Sequence, residues 1–159
     1  MKTLFLVRHA HAAPGGTARS DRERALDDRG LGEAAQAGRR LAARGVKPAL
    51  MIASPALRAL TTAQLVADQL GIARGRIVVD ERIYASSVAT LLEIVHALDG
   101  AAVDSVMLFG HNPEFTELAQ RLSPAIGAMP TCAVAEFRYD GDAWAEVGEC
   151  APVQASLDV

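Results

Sequence analysis

Four short apolar runs, each followed by a helical pattern, constrain this chain most. They lie at residues 1–7, 49–53, 77–79 and 105–109. The runs at 1–7, 49–53 and 105–109 suit buried strands, as in parallel sheets, and 77–79 suits a further strand. Helical spacing follows over residues 32–44, from the Ser54-Pro55 cap to Leu70, and over residues 88–98 and 114–122. Asp27 or Asp28 is a suitable cap for the first helix, and Gly45 and Gly71 stop the first two. On the first helix, Leu31, Ala34, Ala35, Gly38, Leu41 and Ala42 fall on one side. After residue 130 the pattern changes. Residues 134–139 alternate, Asp140-Gly141-Asp142 turns, and residues 144–147 alternate again, which predicts an antiparallel hairpin. The expected fold class is α/β, a three-layer sandwich. Its central sheet is mainly parallel, with helices on both faces and a C-terminal antiparallel hairpin.

The chain of 159 residues is one domain's worth, so a single domain over 1–159 is expected. Lys and Arg number 16 against 19 Asp and Glu, a net charge of -3 that gives no argument for nucleic acid or an anionic membrane. Aromatic residues are only 4%, which weakens a base-stacking reading further. The apolar start ends at Arg8-His9, too short for a signal peptide, and no segment is long enough to span a membrane. A cytoplasmic monomer is the expectation. Cys132 and Cys150 have no metal-type spacing and read as small core residues rather than a disulfide. Residues 12–29 are rich in Gly, Asp and Arg and read as a loop.

In parallel sheets ligands bind at the carboxyl ends of strands. Those ends carry Arg8, His9 and His11; then Ser54-Pro55-Ala56-Leu57-Arg58; then Asp80, Glu81 and Arg82; then Gly110-His111-Asn112-Pro113. Each alone is an ordinary surface residue. Together they suit an anion held by guanidinium forks and attacked by a histidine. His96, isolated within a helix, reads as a surface or hydrogen-bonded residue rather than a nucleophile.

Leu6-Val7-Arg8-His9-Ala10 resembles the Arg-His-Gly signature of the histidine phosphatase superfamily, the phosphoglycerate-mutase-like proteins. Residues 54–63 resemble its Ser-Pro-x-x-Arg-Ala-x-x-Thr-Ala block, and Gly110-His111-Asn112-Pro113 its late Gly-His block. Residues 21–30 are similar to the Asp-x-x-Arg-x-Leu-x-x-x-Gly stretch of the SixA-type phosphohistidine phosphatase branch. The resemblance implies His9 as nucleophile, with Arg8, Arg58 and His111 cradling the phosphoryl group. It implies Glu81, in Glu81-Arg82-Ile83-Tyr84, as general acid; the plainer reading of Glu81 is an exposed carboxylate paired with Arg82. Ala10 replaces the family's glycine, which disfavours positive φ there and crowds the phosphate slightly. His11 reads equally as a pocket or a surface residue, and Arg24 as a brace for the loop or a substrate contact.

The implied activity is a metal-independent phosphatase without cofactor. Its partner would be a phosphohistidine protein or a small phosphorylated metabolite. Rival readings are a small-molecule phosphomonoesterase or mutase and a non-catalytic phosphoprotein-binding module. A nucleotide-binding domain fits poorly, since Gly15-Gly16 lacks the Lys-Ser/Thr that a phosphate-binding loop needs.

Overall fold

The computed structural model describes residues 1–14 and 18–159; Gly15 and Gly16, and the part of the expected loop around them, lie outside the described residues. The strands are β1 (Lys2–Arg8), β2 (Leu50–Ala53), β3 (Val78–Val79), β4 (Ser105–Gly110), β5 (Val134–Tyr139) and β6 (Gln154–Asp158). The helices are α1 (Asp28–Ala43), α2 (Leu57–Leu70), α3 (Val88–His96) and α4 (Glu114–Leu122). The sheet order is β3-β2-β4-β1-β5-β6. The first four strands run parallel, while β5 is antiparallel to both β1 and β6.

Strand alternation sorts the core into two layers. Leu4 and Leu6 of β1, Ile52 of β2, and Val106 and Leu108 of β4 face α3 and α4, against Leu91, Val95, Phe115 and Leu118. Their neighbours Phe5, Val7, Met51, Met107 and Phe109 face the other way, against Leu41 of α1 and Val66 and Leu70 of α2. Both faces of β1, β2 and β4 are covered, which explains their apolar runs, whereas Val78 and Val79 of β3 are exposed.

Four expectations are corrected. Residues 144–147 do not form a strand: Trp144–Glu146 is a 3₁₀ turn, and β5 pairs with β6 instead. Trp144 and Val147 are both fully buried, so the spacing is three, not two. Asp99 accepts the backbone N–H groups of Trp144 and Ala145, and the indole N–H donates to the Val103 carbonyl at 2.8 Å. These contacts draw the segment away from the sheet edge. The second correction concerns the buried face of α1, which is capped by Asp27 as expected, through the Gly30 N–H. Its buried face is Gly30, Ala34, Ala37, Gly38 and Leu41, and Leu31 is exposed. The cause is a close approach: a Cβ on Gly30 would meet the His11 carbonyl oxygen. Third, Ser54 does not cap α2, which begins at Leu57 after Ala56. Fourth, Cys132 is buried as expected but Cys150 is exposed; both are free thiols. His96 behaves as expected, hydrogen-bonded through Nε2 to the Val147 carbonyl at 2.8 Å.

Gly110 ends β4 beneath the first turn of α4. A Cβ there would stand 2.4 Å from the Phe115 ring and 2.9 Å from Ile83 Cγ2. Phe115 and Ile83 are both fully buried, so neither can step aside. Gly110→Ala is therefore expected to lower stability by about 1–3 kcal/mol. It should also reduce activity by shifting His111, the next residue. Thermal unfolding and a turnover assay on the same preparation check both.

Candidate active site

Register brings the sequence blocks together. Arg8 pairs with Gly110, and Ala53 with Phe109, so three strands end side by side. The His9 N–H donates to the Gly110 carbonyl at 2.9 Å, and the Ser54 N–H to the Phe109 carbonyl at 3.0 Å. The His9 and His111 rings consequently lie with centroids 5.3 Å apart.

His9 Nδ1 lies 2.7 Å from the Ala10 carbonyl oxygen. A carbonyl only accepts, so Nδ1 carries the proton and Nε2 keeps its lone pair. Burial, with Arg58 and Arg8 adding to it against the Ala10 hydrogen bond, pulls the His9 pKa down to about 4. The ring is neutral at physiological pH. His111 is held by Ser54 Oγ, 2.8 Å from Nε2, while its Nδ1 is buried and without a partner among the described residues. Burial and then Arg58 and His9 push it down to about 3. His111 is therefore neutral. A bound phosphoryl group would reverse that balance, since its negative charge favours the protonated ring.

Ala10 is not in the left-handed region. Its methyl is buried against Leu26, Ala34, Ala37 and Cys132, pointing into a small core cluster. The alanine thus needs no positive φ. Its N–H donates to Thr62 Oγ1 at 3.0 Å, and that hydroxyl donates to the Arg58 carbonyl at 2.7 Å. One buried threonine ties the first block to the second.

Arg58 is buried, and its two terminal nitrogens donate to Asp21, at 2.6 Å to the carbonyl and 2.9 Å to Oδ2. Tyr84 Oη donates to the same Oδ2 at 2.6 Å, and Arg24 to Oδ1 at 3.0 Å. The Tyr84 hydrogen bond, followed by those of Arg58 and Arg24, holds the Asp21 carboxyl well below the usual range. Arg24 also donates to the Ala13 carbonyl, the bracing contact expected of it. Arg8 donates to the Met129 carbonyl at 3.1 Å, and its Nε is buried without a partner among the described residues. An open cavity of about 690 Å³ has Arg58, His111, Asp21, Tyr84, Glu114 and Glu117 in its walls.

Two expected residues stand outside that cluster. His11 pairs with Asp27 at 2.5 Å and is about a third exposed. Glu81 is 70% exposed and accepts from Arg22 at 2.8 Å, whereas Arg82 pairs with Asp80. Four residues of the site were not singled out from sequence: Ser54, Thr62, Asp21 and Glu114. The first three lie inside the quoted motif blocks, so their signal was present. Glu114 directly follows the late block.

The neutral imidazoles set a pH dependence of stability. Their folded values lie below the ordinary 6.5, so as pH falls the unfolded chain binds protons first. Their contribution is complete above about 6.5 and is lost as pH drops toward about 4 for His9 and about 3 for His111. Melting temperature is expected to begin falling below about pH 6.5, above the carboxylate range, and less steeply in His111→Asn.

A sequence profile described as the histidine phosphatase superfamily (branch 1) matches residues 4–84, just over half the chain. The chain belongs to the histidine phosphatase superfamily. It is a phosphatase, which removes the non-catalytic binding module from the readings. The protein histidine phosphatase SixA, solved with tungstate, is 26% identical; the match covers 99% of this chain and 94% of that one, with TM-score 0.79. A mycobacterial glucosyl-3-phosphoglycerate phosphatase shares the fold at 18% identity, over 100% of this chain and 98% of its own, with TM-score 0.73. An uncharacterized chloroplastic protein of Arabidopsis thaliana is 26% identical over 152 residues, 91% of this chain and 70% of its own. Among the described residues, no helix of this phosphatase is long and apolar enough to cross a membrane.

Proposed function

We propose that this phosphatase removes the phosphoryl group from phosphohistidine on a protein, through a phosphohistidine intermediate on His9. The observation that carries the reading is the His9 ring. It is neutral, oriented through Nδ1 by the Ala10 carbonyl, and set beside Arg58, Arg8 and His111. Nε2 attacks phosphorus as the bond from phosphorus to the leaving group breaks, and the leaving group takes that electron pair. Water then attacks phospho-His9, giving inorganic phosphate and free His9.

Phosphoryl transfer spreads charge over the equatorial oxygens, so positioned cationic donors do most of the work. Arg8, Arg58 and a protonated His111 supply that charge, which is why the proposed chemistry needs no metal. The similarity to a SixA solved with an oxyanion, tungstate, supports the phosphoryl site. The open cavity beside His111 supports a substrate displayed on a protein surface.

A second reading, a small-molecule phosphomonoesterase, is favoured by Glu81. An ester oxygen leaves poorly without a proton, and Glu81 is the proposed donor. That role requires its ion pair with Arg22 to open. The test is phosphate release from a phosphohistidine protein and from p-nitrophenyl phosphate, in EDTA, for wild type and Glu81→Gln. Release from the phosphohistidine protein, little changed by Glu81→Gln, is the expected result. Activity confined to esters, with a large loss in Glu81→Gln, would overturn the reading in favour of the second.

A further inference from the structure

We propose that Glu114 recognises the leaving group, accepting an N–H from the ring nitrogen of phosphohistidine that does not bear phosphorus. This rests on the phosphohistidine reading above.

The cavity wall carries both signs of charge: Arg58 and His111 line it together with Glu114 and, one turn further along α4, Glu117. Glu114 is 93% buried by its 7% exposure, unusual for a carboxylate at a pocket wall. Its Oε2 accepts the Ser86 N–H at 3.1 Å, which fixes the side chain across the mouth of α3. Its Oε1 has no protein partner among the described residues. A carboxylate in a cavity wall with one oxygen unpaired can accept a donor from the ligand.

Phosphohistidine suits a wall of both signs. Its phosphoryl oxygens are anionic, and its ring, protonated at the second nitrogen, carries an N–H and a positive charge. As His9 Nε2 bonds to phosphorus, the P–N bond breaks and its electron pair returns to the ring. A ring already protonated at the other nitrogen then departs as neutral imidazole, with no proton transfer needed at the breaking bond. Glu114 keeps that proton in place by favouring the protonated ring. A leaving group without a donor, such as p-nitrophenolate, gains nothing from it, and an anionic one is repelled.

The experiment measures kcat/KM for wild type, Glu114→Gln and Glu114→Ala on a phosphohistidine protein and on p-nitrophenyl phosphate. Gln keeps an acceptor for the Ser86 N–H but removes the charge. A loss of roughly 10- to 100-fold on phosphohistidine is expected for both variants, the size of a charge-assisted hydrogen bond. Activity on p-nitrophenyl phosphate should fall much less than activity on phosphohistidine, and thermal unfolding checks that the variants are folded. Equal losses on both substrates, or none on phosphohistidine, would overturn the role of Glu114 alone. A wild type inert on phosphohistidine but active on the ester would overturn the substrate reading, and this role with it.

Discussion

His9→Ala is expected to lower turnover roughly 10⁴-fold or more, as removal of a covalent nucleophile does. The reason is specific to this ring. Nε2 is the nitrogen left with a lone pair once Nδ1 is committed to the Ala10 carbonyl, and burial keeps it unprotonated. His111 does not offer a replacement, because Ser54 Oγ engages its Nε2 and its Nδ1 is buried. The check is twofold. Phosphate release should vanish, and so should the phosphoenzyme trapped by rapid quench, which is labile in acid and stable in alkali. Because burying His9 uncharged costs the fold stability at low pH, the variant should melt no lower than wild type at pH 5. A phosphoenzyme persisting in His9→Ala would move the nucleophile elsewhere.

Arg58→Ala is expected to cost roughly 10²–10³-fold, the loss typical of a positioned donor aimed at developing charge. Here the effect is compounded by Asp21. Both terminal nitrogens of Arg58 donate to Asp21. Without the guanidinium, the Asp21 carboxylate faces the phosphoryl site with Tyr84 and Arg24 as its remaining partners, and repels the substrate. Adding Asp21→Asn to Arg58→Ala should therefore recover part of the loss. Strict additivity of the two substitutions would show that Asp21 acts only as a brace. Arg58→Lys should restore charge but not the planar fork, and so only part of the rate.

The strand ends were legible because a buried strand announces its end locally. The apolar run stops and the chemistry changes, as at Val7-Arg8-His9 and Phe109-Gly110-His111. The hairpin was misread for an equally local reason. A short alternating stretch fits a strand or a 3₁₀ turn, and the capture of Trp144 by Asp99, 45 residues away, decides between them.

The sequence by itself therefore determined the layered α/β architecture, the parallel order of apolar runs, and the family through its motif blocks. Each of these depends on periodicity or on residues close in the chain. Only the tertiary structure decided which distant side chains meet. Thr62 joins Ala10 across 52 residues, Asp21 binds Arg58 across 37, and Glu81 turns outward to Arg22 across 59. It also decided that both histidines are neutral before phosphate arrives. Burial sets that, and burial is a property of everything packed around a ring rather than of its neighbours in sequence.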